Sequence, residues 1–189
     1  MQSNRRLLFL VEVAILSTLA LLLDFSSSFI LKLPQGGSVS IGMIPIFIMS
    51  YRWGLKGGLS TGFLLGLLQA ILTPQIFHPV QGFIDYYLAF TVVGFSGLLF
   101  KPVKNSLLAN KKNRAMIYIS LGIILGGLLR LVMHVISGVF FFASFAPEGT
   151  PVLLYSISYN ASYMLPTIII SAIIVNILLI ASPRLINKK

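Results

Sequence analysis

Apolar residues run along this chain in long blocks, broken by short connectors rich in Pro, Gly, Lys and Arg. A helix needs roughly 20 apolar residues to cross the ~30 Å hydrocarbon core of a bilayer. The pattern therefore predicts six spans, at residues 7–31, 41–51, 55–72, 80–100, 115–142 and 152–180. The second is short, and its start can be buried in protein rather than in lipid. The expected fold is all-α: a polytopic membrane protein of six transmembrane helices forming a single integral domain over residues 1–189. No small-residue cleavage site follows the first apolar stretch, and Asp24 does, so the stretch reads as a retained helix and not a signal peptide.

Charge sets the orientation. Only 10% of residues are charged, yet the net charge is +10; soluble domains average about 25% charged residues. A basic chain without cysteine can suggest nucleic acid, but here the cations are bunched in the connectors. Arg5 and Arg6, Arg52 and Lys56, Lys101 to Arg114, and Arg184, Lys188 and Lys189 all fall on one side of six alternating spans. This is the positive-inside arrangement, so both termini are expected in the cytoplasm of a prokaryotic plasma membrane. Lys32 alone falls opposite, and Arg130 lies inside the fifth span. The outer connectors are 32–40, 73–79 and 143–151. The surrounding partner is lipid, and nucleic acid is not expected.

Helices in lipid pack through small residues that let backbones approach. The third span carries Gly54, Gly58, Gly62 and Gly66, and the fifth carries Gly122, Gly126, Arg130, His134 and Gly138, each at four-residue spacing. Such spacing holds the positions on one helix face. The fourth span places Gln81, Asp85, Ala89, Val93 and Gly97 on a face, and the sixth places Ser156, Asn160, Tyr163, Thr167 and Ser171. On the first span Ala14 and Thr18 form a small-x-x-x-small pair. It serves either packing within the monomer or docking of another membrane subunit.

Ionisable groups inside a membrane are costly and usually functional. At 1.5 Å per residue, Asp85 lies ~8 Å below the outer end of its span, and Arg130 and His134 lie ~22 and ~28 Å from the inner end of theirs. Tyr155 and Asn160 lie within ~12 Å of the outer end of the sixth span. Asp85, Tyr86, Arg130, His134, Tyr155 and Asn160 thus share one layer near the external face, with Phe141 and Phe142 above His134 and Tyr87, Tyr159 and Tyr163 close by. A carboxylate, an imidazole, an amide and aromatic rings suit a small, flat, positively charged heterocycle, since aromatic faces attract cations. Arg130 is expected to neutralise Asp85 or another acceptor. The simpler alternative is a structural Asp85–Arg130 ion pair with an interfacial tyrosine belt. Glu12 is expected to pair locally near Arg5 or Arg6, Asp24 to cap a solvated helix end, and Trp53 to anchor the inner boundary.

The chemistry that is missing narrows the function. The chain has no phosphate loop ending in Gly-Lys-Ser/Thr and no His-Glu-x-x-His. Two distant histidines and no cysteine leave no zinc site or thiol nucleophile. No enzyme, metal or cofactor is expected.

Several stretches resemble one family: Glu12-Val13-Ala14-Ile15 within 8–22, the loop 34–40, Tyr51-Arg52-Trp53-Gly54, and His78-Pro79-Val80-Gln81 through Asp85-Tyr86. Arg130 to Gly138, Phe145-Ala146-Pro147-Glu148-Gly149-Thr150-Pro151 and Tyr155 with Tyr159-Asn160 complete the match. Together they resemble the thiamine-specific substrate-binding component of energy-coupling factor transporters, over nearly the full length. The resemblance implies thiamine captured from outside by Asp85, Tyr86, His134, Phe142, Tyr155 and Asn160. The loop with Gln35, Gly36, Gly37 and Ser38 would act as a lid. It also implies that Ala14 and Thr18 dock on a transmembrane coupling subunit served by two ATPase subunits. Some relatives carry tryptophan where Phe142 stands, and usually alanine where Thr18 stands. Three alternatives remain at this point: another vitamin or cationic heterocycle as ligand, a stand-alone proton-coupled transporter, or a purely structural subunit.

Overall fold

A computed structural model describes residues 2–28, 33, 34 and 36–186. Lys32, Gln35, Lys188 and Lys189, and the end of the first expected span, lie outside the described residues. The chain forms α1 (Gln2–Ser28), α2 (Ile44–Trp53), α3 (Leu55–Leu72), α4 (Pro79–Leu108), α5 (Lys112–Phe141) and α6 (Val152–Ala181). Five of these are long and apolar enough to cross a membrane.

The exception is α2. Its ten residues cover ~15 Å, half a bilayer, and Ile44–Ser50 is buried at every position but Ile48. The expected second span is therefore a plug inside the bundle. Pro45 opens it, where the missing N–H would have had no helical partner. At the other end Tyr51 donates to the Ile119 carbonyl of α5 at 2.7 Å.

The bundle carries apolar side chains on its outside as well as in its core. Leu10, Ile15, Leu22, Ile117, Ile169 and Ile177 point outward, while Ser17, Thr61, Gln81, Ser137, Asn160 and Thr167 are buried. That is the distribution lipid requires. The basic residues Arg52, Lys56, Lys101, Lys104, Lys111, Lys112, Arg114 and Arg184 fall at helix ends on the same side of the bundle as the start of α1. The connectors 73–78 and 142–151 lie at the opposite end.

The glycine strip of α3 faces α4, where the backbones touch. A Cβ at Gly58 would lie 2.7 Å from the Gly94 Cα; at Gly62 and Gly66 it would strike the carbonyls of Phe90 and Tyr86. Small residues on both sides let α4 lie this close. α4 is irregular: a π-helical stretch, Phe83–Leu88, is followed by a 3-10 stretch, Gly94–Leu99. It also extends to Leu108, beyond the expected end at residue 100, carrying Lys101 and Lys104 as helix rather than connector.

Gly62→Leu is expected to lower the thermal midpoint sharply in detergent, beyond the ~1–3 kcal/mol usual for overpacking, because the obstacle is backbone. An unchanged midpoint would mean that α3 and α4 are not in backbone contact.

Candidate ligand-binding site

A cavity of about 280 Å³ opens among α1, α3, α4, α5 and α6 at the end away from the basic residues. Small-molecule sites run upward from roughly 300 Å³. The π-helical turn of α4 carries Asp85 and Tyr86 to its wall. Such turns recur at functional sites because they displace side chains from the regular helical register.

Asp85 is the best-held polar group. One carboxylate oxygen accepts from His134 Nδ1 at 2.9 Å. The other accepts from Ser137 Oγ at 2.6 Å and Gln81 Nε2 at 2.7 Å. Arg130 Nε donates to His134 Nε2 at 3.2 Å. Guanidinium only donates, so that ring nitrogen must accept and Nδ1 carries the proton. His134 is therefore neutral and Asp85 is an ionised acceptor. The expected Asp85–Arg130 ion pair is replaced by a relay through His134. Arg130, which is buried, instead lies over the Phe90 ring, with Cζ 4.0 Å from the centroid.

Asn160 is built into the wall. Its amide donates to the Ser156 carbonyl at 2.8 Å, and its oxygen accepts from Tyr163 Oη at 2.6 Å. One lone pair of that oxygen remains for a ligand. Tyr86 lines the cavity while its hydroxyl accepts from the Gln75 N–H at 2.7 Å and donates to the Thr73 carbonyl at 3.4 Å, holding the 73–78 loop.

Aromatic rings flank the mouth. Phe142 meets Phe77 edge-on at 5.8 Å and Phe145 at 6.2 Å, and all three line the cavity. Phe141 instead stacks on His78 at 5.1 Å, which separates the two adjacent phenylalanines. Tyr155 and Tyr159 lie tilted at 5.9 Å along the α6 wall. Tyr87 departs from the expected layer and packs on Phe63 and Phe83, away from the cavity.

The loop before α2 covers one side. Gly36, Gly37 and Ser38 line the cavity. Tyr159 Oη donates to the Gly36 carbonyl at 2.8 Å, and a Cβ on Gly37 would come within 2.5 Å of the Tyr163 ring. Both glycines have positive φ, 93° and 84°, which L side chains rarely adopt. The loop base is pinned by Ser40, whose N–H donates to Thr167 Oγ1 at 3.1 Å.

Residues not expected in the site also contribute. Asp24, read as a solvated helix end, lines the cavity and accepts from Ser40 Oγ and, at 2.7 Å, from Gln69 Nε2. Gln69 joins from α3 itself, and Gln75 and Phe77 from the turn after it. Ser137 lies one turn beyond the Arg130–His134 repeat, so its spacing was an available signal. Glu12 reaches a partner distant in sequence: it accepts from Arg52 at 2.5 and 2.6 Å and from Trp53 Nε1 at 2.6 Å. Ala14 and Thr18 are exposed on α1, whereas Val13, Ser17 and Ala20 are buried. The option of packing within the monomer therefore falls away. Among the described residues no three His, Asp or Glu side chains are placed to hold a metal.

Residues 10–187 match the family model described as thiamine transporter protein. Thiamine transporter ThiT of Bacillus subtilis is 46% identical over 190 residues, covering all of this chain and 98% of the relative. Thiamine transporter ThiT of Lacticaseibacillus paracasei is 32% identical, covering all of this chain and 95% of the relative. The solved structure of ThiT from Listeria monocytogenes superposes with a TM-score of 0.90 at 36% identity, over 97% of this chain and 99% of that one. With sequence and fold matched over nearly the whole length, the chain belongs to the thiamine transporter protein family.

Proposed function

We propose that this chain is the thiamine-capturing membrane subunit of an energy-coupling factor transporter in a prokaryotic cell membrane. It is a transport protein and not an enzyme. The observation that supports this best is the convergence of Asp85, His134 and Asn160, from three helices, on one cavity under a loop. Three donors occupy Asp85, and a carboxylate offers about four acceptor sites. One site is left for an exocyclic amine such as thiamine carries. Asn160 offers its free lone pair to the same kind of group. Phe142, Tyr155 and the His134 ring present π-faces to the cationic thiazolium, each contact contributing ~0.5–2 kcal/mol.

In this reading the cavity end faces outward and the basic end faces the cytoplasm. Thiamine enters while loop 33–40 is open. Closure of Gly36 onto Tyr159 removes water and strengthens every polar contact inside. The loaded protein docks on a transmembrane coupling subunit through the exposed Ala14–Thr18 face of α1, and two ATPase subunits supply the energy. Thr18 Oγ1 already donates to the Ala14 carbonyl at 2.9 Å, so its hydroxyl adds no unmet donor to that face.

Calorimetric titration with thiamine tests the pocket. Asp85→Asn is expected to weaken binding roughly 10- to 100-fold, as hydrogen bonds to charged groups contribute ~1.5–3 kcal/mol. Asn160→Ala should cost about tenfold by the same bookkeeping. Near-parental affinity in both variants would remove this pocket from the account.

Phe142→Ala is expected to weaken thiamine several-fold, whereas Phe142→Trp should bind at least as tightly, the indole being the better cation–π face. Equal affinity for all three residues would show that the ring does not stack on ligand.

Ala14→Leu combined with Thr18→Leu should leave thiamine affinity within about twofold and abolish uptake by cells that carry the coupling module, because bulky side chains hold helix backbones apart. Undiminished uptake would place the docking surface elsewhere.

A further inference from the structure

Asp24 is a second carboxylate in the cavity wall, on a different helix from Asp85. Its oxygens are both acceptors, one taking the Ser40 hydroxyl proton and the other the Gln69 amide at 2.7 Å. Ser40 Oγ accepts from the Gly42 N–H at 2.9 Å and donates its own proton to Asp24. Accepting on both oxygens is the pattern of an ionised carboxyl. Asp85 shows the same pattern.

The charges lining the cavity can now be counted. Among the described residues they are Asp24, Asp85 and Arg130, with His134 neutral by its tautomer. Arg130 reaches Asp85 through His134 and shares the cavity wall with Asp24. One cation against two anions leaves the cavity with one excess negative charge. Had Asp24 been the solvated helix end that its position on the first apolar run suggests, the buried set would have been neutral.

We propose that Asp24 is a specificity-determining residue: it supplies the excess negative charge by which the cavity selects a singly positive ligand over a neutral one of the same shape. The proposal rests on the assignment of thiamine to this cavity. Thiamine carries one permanent positive charge, on its thiazolium nitrogen. Asp85 and Asn160 read its hydrogen-bonding groups, which a neutral analogue shares; Asp24 acts through its field. A field of this kind gains strength as the bound ligand displaces water from the cavity.

The test compares thiamine with deazathiamine, the analogue with carbon in place of the charged ring nitrogen, by calorimetry on purified protein. Asp24→Asn should weaken thiamine roughly 10- to 30-fold, the effect of one unit charge across several ångströms of a partly buried site. It should leave deazathiamine within about twofold, and Asp24→Glu should restore thiamine. Equal losses for both ligands would make Asp24 a clamp for the loop and overturn the proposal, as would no loss for either. If Asp24→Asn binds neither ligand, Gln69→Lys carries the same comparison: it neutralises Asp24 with an adjoining ammonium, and unchanged discrimination there overturns the proposal. Parental protein that binds no thiamine would instead defeat the assignment of the ligand, a separate outcome.

Discussion

A carboxylate buried in a membrane bundle persists only if both its oxygens are satisfied, and the architecture of the binding end follows from that demand at Asp85. An unpartnered buried charge costs several kcal/mol. Here the partners come from two helices: Gln81 one turn away on α4, His134 and Ser137 on α5. The requirement sets the rotation of α5 against α4 and the tautomer of the imidazole. It also brings Arg130 under cover, because a histidine that donates to Asp85 needs a donor on its far nitrogen. A single acid thereby orders a chain of polar groups that would otherwise compete for partners.

Geometry has to permit that arrangement. In lipid no hydrophobic drive presses helices together, so close approach depends on residue size. The α3 glycine strip removes side chains where the α4 carbonyls pass, which seats α4 deep in the bundle. The π-helical turn at Phe83–Leu88 then turns Asp85 and Tyr86 toward the cavity while Tyr87 remains among Phe63 and Phe83. α2 fills the space below. A ten-residue apolar helix is too short to span, but it fills the interior of the bundle with Ile46, Phe47 and Met49, all fully buried.

Much of this was legible in the chain because the governing patterns are local. Long apolar runs, basic connectors and four-residue spacings depend only on neighbouring residues. They located the five long helices and the layer of Asp85, His134 and Asn160. Other features depend on which segments return to one another, and there the residues are silent. The apolar run of α2 has the same hydropathy whether it faces lipid or protein. Asp24 joins the cavity only because Ser40 and Gln69 arrive from elsewhere. Glu12 bypasses the arginines near it in sequence for Arg52 and Trp53, which the packing of α2 on α1 delivers. The Arg130–His134 contact lies between, since i, i+4 neighbours always meet on a helix, although the cation on the same face made a direct pair with Asp85 look simpler. The irregular turn of α4 left no mark in its composition.

The lone indole of the chain hydrogen-bonds Glu12, and Glu12 stands twelve residues before Asp24 on α1. That separation is ~18 Å along the helix. A vitamin seated in the cavity therefore cannot touch the indole or quench its emission by contact. Any change in tryptophan fluorescence on ligand addition has to reach the indole through the protein, and Trp53 closes α2 while it is held by Glu12 and Phe9 of α1. Tryptophan emission of this protein thus reports on the packing of α1 against α2 at the basic end, and emission of the cavity tyrosines is the one that reads occupancy directly.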